Sequence, residues 1–418
     1  MKINFKITLI LFLFIGIITS CNRTNQENKP PQEETINLQH FNHLYKEINI
    51  AGDTLAIVHI YSEFPDYDFV IEPSEGFTCV DDVARAIVML SQYYKTGKDS
   101  EKTLRKLKML TKFILFMQNK NGYFNNFIWN DYSINTTYKT TVAELNWWSL
   151  RAFWALETVL PLFSENPVFL DKIETSIDRL WVNIKTDLSG KELKIDTING
   201  LKIPSWLPNK YAADQAAVLI LGLLPYHKRT EDIAAKNMID HMAKGIILMQ
   251  KGGKLEYPYG AFMSWENLWH AWGNSQAFAL LKAGQQFDNQ EYIKSGLKEV
   301  DHFYPYLLKN GFAEAFWIEK NQDGFSETKR NEFPRIAYGI RPMVWAASEA
   351  YQITKKEVYL DLSEELKSWF FGNNVLKIDM YDATTGRGYD GIISNETFNH
   401  NSGAESTIEC LMTFLETN

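Results

Sequence analysis

The feature that most constrains this chain is a helix start that returns six times. It first appears as Asp81-Asp82-Val83-Ala84-Arg85-Ala86-Ile87-Val88-Met89-Leu90, where paired acids open a segment that then turns almost wholly apolar. Similar starts follow at Ala143-Glu144-Leu145-Asn146-Trp147-Trp148, Ala213-Asp214-Gln215-Ala216-Ala217, Trp272-Gly273-Asn274-Ser275-Gln276-Ala277, Tyr338-Gly339-Ile340-Arg341-Pro342-Met343 and Gly403-Ala404-Glu405-Ser406-Thr407-Ile408. Their spacing of roughly 60 to 70 residues is too long for the common solenoid repeats and suits two helices with two connections. A helix that is apolar all round is buried on every side, whereas one with a charged face borders water. The six starts therefore predict six inner helices, each paired with an outer one.

The partner of the first is Ser100 to Gln118, with Lys102, Arg105, Lys106 and Lys108 on one side and Leu104, Leu107, Leu110, Phe113 and Ile114 on the other. Further pairs are Val142 to Leu160 with Asn166 to Lys185, Tyr211 to Leu224 with Thr230 to Met249, Trp269 to Phe287 with Asn289 to Leu308, and Pro342 to Gln352 with Lys355 to Phe370. The last inner helix, Ala404 to Leu415, lacks a following partner, and an early helix over His40 to Ile48 is the spare outer candidate. Thr54 to His59 reads as a strand-like run. Glycine turns recur between an outer helix and the next inner one, at Gly122, at Gly252-Gly253 and at Gly311, where a left-handed cap would stop the helix. The expected fold is all-α, an (α/α)6 toroid of six helical hairpins.

Ahead of it, Lys2 and Lys6 precede the apolar run Ile7 to Ile17 and then Ile18-Thr19-Ser20-Cys21. The run is too short to span a bilayer and small residues follow it, as in a cleaved leader. Those last four residues resemble the lipobox of bacterial lipoproteins, which implies removal of residues 1–20, acylation of Cys21 and anchoring of the protein in the cell envelope, in the periplasm or at the surface. The polar stretch 21–37, with Pro30-Pro31, then serves as a tether to a folded unit over 38–418.

The net charge of −8 becomes about −10 without Lys2 and Lys6, and no basic cluster interrupts the acidic background, so nucleic acid is not an expected partner. Cys79 and Cys410 are expected to be free buried thiols. Eight histidines include no pair at helical ligand spacing, and Asn321-Gln322-Asp323-Gly324 lacks the acid that completes a calcium loop. A plain turn is expected there, with no metal and no cofactor.

These residues resemble the six-hairpin glycosidase superfamily over nearly all of the expected mature chain. Asp81-Asp82-Val83-Ala84-Arg85-Ala86, together with Gly388-Tyr389-Asp390-Gly391 and Asn401-Ser402-Gly403-Ala404-Glu405-Ser406-Thr407, is similar to a subgroup of poorly characterised bacterial helical-barrel domains, some fused to glycosyltransferases. The resemblance implies a site at the mouth formed by the N-termini of the inner helices, where unpaired N–H groups and the positive dipole end gather. It supplies no complete catalytic signature.

Glycoside hydrolysis needs a protonated carboxyl and a carboxylate converging from different elements. Helices three repeats apart face each other, which sets Asp214 opposite Glu405, with Asp82 and Glu144 on the first two starts and Asp390 and Glu266 in loops before the sixth and fourth. The competing role is capping. Thr141 with Glu144 and Ser402 with Glu405 fit the capping box, and Asp81 fits an N-cap. Aromatics at the helix starts and preceding loops, Trp147, Trp206, Trp265, Trp269 and Trp272, with Arg341 and Tyr389, are the expected sugar contacts. The expected function is a monomeric, lipid-anchored glycoside hydrolase that inverts the anomeric centre. The alternatives are a polysaccharide lyase using Tyr338, Arg341, His270 and Asn274, and a glycan-binding lipoprotein without activity.

Overall fold

A computed structural model describes residues 36–50 and 52–415. The leader, Cys21 and nearly all of the tether lie outside the described residues. Twelve α-helices are found among those described: α1 (Gln39–Leu44), α2 (Val80–Lys95), α3 (Ser100–Phe116), α4 (Trp147–Val159), α5 (Pro167–Leu188), α6 (Ala213–Thr230), α7 (Ile233–Met249), α8 (Gln276–Phe287), α9 (Gln290–Asn310), α10 (Ala337–Thr354), α11 (Glu357–Lys367) and α12 (Ala404–Phe414). The even-numbered helices form the inner layer. Each packs on the next, and α12 returns to pack on α2, closing the ring. Every residue of α10 from Ala337 to Ala350 is buried, as a helix between an outer layer and the barrel axis must be. Deep on that axis, Trp154 of α4 meets Trp345 of α10 edge-on, and Phe278 of α8 packs on Trp345.

Gly122, Gly252 and Gly311 all take positive φ, at +88°, +66° and +83°. Only Gly311 stands at the end of its outer helix; α3 and α7 reach their C-caps at Met117 and Gln250, and Gly122 and Gly252 turn the chain a few residues further on. The outer layer is irregular in its sixth position. There α1 packs on α12 but stops at Leu44, and the chain continues as the hairpin β1 (Tyr45–Ile50) and β2 (Asp53–Val58), which lies on α3. The expected helix to Ile48 is thus half strand, because alternation over Lys46 to Ile50 followed by Gly52 at positive φ favours a hairpin.

Further short hairpins rise on the mouth side between outer and inner helices: β3 (Tyr61–Glu63) with β4 (Asp68–Val70), and β5 (Ile195–Ile198) with β6 (Leu201–Pro204). The sheet of β7 (Leu268–His270), β8 (Ala315–Asn321) and β9 (Gly324–Asn331) corrects another expectation. Trp269 lies on a strand and not on a helix, since β7 pairs with β8 and α8 begins only at Gln276. Asn321 to Gly324 is the turn of the β8–β9 hairpin. Cys79 and Cys410 are free and buried.

Candidate active site

The inner helices carry charge one turn in from their starts, where an apolar helix has no solvent to receive it. Arg85 of α2 donates from Nη1 to Asp82 at 2.6 Å and from Nη2 to Glu405 of α12 at 2.7 Å, and its Nε stands 3.2 Å from Glu409. Arg341 of α10 donates to the other oxygen of Glu409 at 2.7 Å. Arg151 of α4 pairs with Asp81 at 2.7 Å and donates to the Tyr338 hydroxyl at 2.8 Å. The three guanidiniums lie over the ring of Tyr338 at 4.8, 5.3 and 5.5 Å for Arg85, Arg151 and Arg341. Tyr338 is the hub of this half of the mouth.

Within the cluster the acids differ in access. The side chain of Glu405 is 42% exposed, that of Asp82 5% and that of Glu409 0%. Enclosure within the ring pushes the Glu405 carboxyl above the usual carboxylate range, against the pull of Arg85, and Asp82 and Glu409 add to the rise. Burial raises Asp82 likewise, with Arg85 holding part of the shift back. Burial alone would lower Arg85, but Glu405 and Asp82 reverse this and keep it charged.

The other half of the mouth is built from the third and fourth repeats. Asp214 on α6 accepts from its neighbour Gln215 N–H at 2.6 Å and from His270 Nε2 at 2.9 Å. The imidazole stacks on Trp272 at 4.1 Å between centroids, while its Nδ1 is buried without a partner. Gly273, at φ +87°, sits so close to Trp147 that a Cβ there would lie 2.8 Å from the indole and 3.4 Å from the Tyr338 hydroxyl. That contact joins the two halves. Asn274 closes the ring by donating to Gly339 O at 3.4 Å.

Among the sequence-derived candidates, Asp82, Asp214, Arg341 and Glu405 meet around this one mouth, with Trp147 and the exposed Trp272 beside them. Trp265 is exposed on the tight turn before β7. The capping boxes do not form. Asn146 caps α4 with its own side chain, leaving Glu144 exposed three residues before the helix, and Glu405 turns to Arg85 while α12 takes its cap elsewhere. That cap is Asp390, which accepts from Gly403 N–H at 2.9 Å and from Ser406 Oγ at 2.5 Å and is pushed up by burial. Asp81 is not an N-cap either; Cys79 Sγ accepts from Asp82 N–H in that role.

Two tryptophans are corrections. Trp206 is buried with its indole N–H donating to His241 O of the outer helix α7, and Trp269 is buried against Phe316 and Phe303. Both serve packing, since each is closed off from the mouth by its partners. Tyr389 is half-buried against Phe398 and His400, and Arg341 has its charge spent on Glu409. Sequence reasoning missed Arg151 and Glu409. A lone charge inside an all-round apolar helix was the available signal, because burying it without a partner is prohibitive. Among the described residues no group of three His, Cys, Asp or Glu gathers as a metal site would require.

The ring of six hairpins with its mouth at the inner N-termini is an (α/α)6 toroid. No family model matches the chain, and no curated protein does. Solved structures match it over most of their length: a cellobiose 2-epimerase from Bacillus thermoamylovorans (TM-score 0.62, 12% identity, 92% of this chain and 97% of that one) and a D-mannose isomerase (0.60, 14%, 92% and 95%). A family 76 glycoside hydrolase from a bovine Bacteroides thetaiotaomicron strain is similar at TM-score 0.59 and 10% identity, over 92% of this chain and 76% of that one.

Proposed function

We propose that the protein is a lipid-anchored enzyme of the bacterial cell envelope that acts as a monomer on oligo- or polysaccharide, hydrolysing a glycosidic bond at the toroid mouth. The observation that carries this reading is Glu405: of the acids tied into the charged cluster, it alone combines a raised carboxyl with wide access to solvent. A carboxyl whose pKa is raised at the edge of a mouth is placed to give a proton to the leaving oxygen of a glycoside. The names of the structural neighbours, a sugar epimerase, a sugar isomerase and a glycoside hydrolase, support a carbohydrate substrate.

In this reading Glu405 is the proton donor and Asp81, held by Arg151 on the other flank of Tyr338, is the carboxylate that activates water. Asp82 has one oxygen on Arg85 and the other accepting from the Cys79 thiol at 3.2 Å, so it positions Arg85 and does not touch substrate. Exposed Trp265 and Trp272 are the stacking surfaces for sugar rings. The lyase alternative loses support because Arg85, Arg151 and Arg341 are all matched by Asp81, Asp82, Glu405 and Glu409, which leaves no free cation in the cluster for a uronate.

One observation favours a second reading. The Asp214–His270 pair, stacked on Trp272, offers an imidazole beside the mouth for proton transfer at carbon, as an epimerase or isomerase requires. Product analysis separates the two. Incubation with an oligosaccharide panel is expected to release new reducing ends, with the first product anomer inverted by NMR; a new sugar isomer without chain cleavage overturns hydrolysis in favour of the second reading, and binding without turnover leaves a lectin. For the anchor, Cys21→Ala is expected to move the protein from the membrane to the soluble fraction, and continued sedimentation with membranes contradicts acylation at Cys21.

A further inference from the structure

Outside the ring, on the mouth-side rim of the third repeat, a groove of about 700 Å³ runs between the end of α7, the β5–β6 hairpin and the β8–β9 hairpin. The two hairpins are stitched together there, with Lys320 N–H donating to Asn199 O at 2.9 Å. Four lysines line the groove, Lys202, Lys244, Lys251 and Lys320, and no acid does. Among the described residues none of the four forms an ion pair, in a protein whose net charge is −8 and whose buried arginines in the mouth are all matched by carboxylates.

Lys251 is the telling member. It is only 7% exposed, and its ammonium donates to Lys202 O at 3.0 Å and to Leu248 O at 2.5 Å. Those carbonyls, one of them at the C-terminal end of α7, satisfy two of its three donors but cancel no charge. Burial and the nearby Lys320 lower its pKa to about 8, the response of a cation that lacks a counter-ion. The rest of the lining is largely apolar, with Trp206 and Phe325 beside the aliphatic residues and Gln250 the one uncharged polar side chain. Leu193 and Ile195, 56% and 49% exposed, face the same groove as Ile247 and Leu248. An unpaired buried cation beside unburied aliphatic surface calls for a ligand with both an anionic head and a hydrocarbon body, and the volume is that of a small-molecule site.

We propose that this groove binds a single-chain anionic amphiphile, its carboxylate or phosphate head on Lys251 and Lys320 and its chain along Leu193, Ile195, Ile247 and Leu248. The site is separate from the mouth, so it stands or falls independently of the hydrolase reading. The test is titration calorimetry of the whole protein with dodecanoate and dodecyl phosphate below their micellar concentrations, with dodecanol as the uncharged control. Both anions are expected to bind, dodecanol at least tenfold more weakly, and Lys251→Met and Lys320→Glu each to weaken the anions by about tenfold or more, as loss of a charge-assisted contact implies. Lys320 is exposed, so its variant keeps the test alive if Lys251→Met does not fold. Equal binding of dodecanol, unchanged affinity in Lys320→Glu, or no binding of either anion by about 1 mM overturns the proposal. So does binding to phosphatidylglycerol vesicles without binding of the monomeric probes, which would make the face a membrane contact.

Discussion

The inner ring and the outer wall of this toroid bury acids in opposite ways. Glu409, inside the ring and fully buried, lies between the guanidiniums of Arg85 and Arg341. Glu299, on α9 of the outer wall and equally buried, faces no cation; it accepts from Phe262 N–H at 2.8 Å and from the Tyr304 hydroxyl at 3.2 Å, and burial pushes its carboxyl up to about 8. The wall neutralises its acid, while the ring keeps charge and matches it. A matched buried cluster is rarely the most stable filling for a core. Buried acids are also paired further along the inner helices, Glu157 with Arg229 and Glu349 with Lys282, but only at the helix starts do three guanidiniums and four acids gather around one ring, Tyr338, and that marks the place where charge is used.

The largest effect should come from stranding the ring acids. Arg85→Met leaves Asp82 and Glu409 buried beside an apolar side chain and is expected to cost about 3–5 kcal/mol in urea denaturation. A loss below about 1 kcal/mol would erase the distinction between ring and wall. Adding Asp82→Asn and Glu409→Gln to that variant should recover part of the loss, because the three sites share one network.

A change at the wall should be milder and should depend on pH. The folded state holds the Glu299 proton up to about pH 8, well beyond the unfolded chain, so the native protein binds more protons between the ordinary glutamate range and pH 8. Stability from this group is therefore full at low pH and declines as pH rises through that window. Glu299→Gln keeps a neutral group in place, and is expected to flatten the decline and to match or exceed wild-type stability at pH 8. A variant less stable than wild type by the same amount at pH 5 and pH 8 contradicts the neutral assignment.

The smallest effect is expected from Trp206→Phe, which gives up the bond to His241 O and some packing, about 0.5–1.5 kcal/mol, with turnover unchanged. Trp272→Ala should instead raise KM with little loss of stability, since that ring is exposed over His270.

Much of this arrangement was legible in the sequence because it repeats. Six apolar helix starts and three glycine turns report the ring, and the acids at those starts report where its mouth lies. The hairpins were harder. Lys46 to Ile50 alternates over too few residues to separate a strand from the tail of a helix, and Trp269 has a helical neighbourhood in sequence but a strand partner, Phe316, far along the chain. Glu405 and Glu144 share one local pattern, yet one reaches a guanidinium across the ring and the other points to solvent. Nothing within four residues of either encodes that difference, which is set by Arg85 some 320 positions away. Trp206 looked like a sugar contact because loop aromatics often are; only the closing of α7 over it decides otherwise.

The most direct measurement is turnover by Glu405→Gln on the oligosaccharide identified for the wild-type protein, with circular dichroism to confirm the fold. The amide keeps shape and can still accept from Arg85 but cannot deliver a proton, so the account predicts a loss of about 100-fold or more in kcat with an intact thermal transition. Near wild-type kcat in a folded Glu405→Gln protein would show that the open acid of the mouth is not its proton donor.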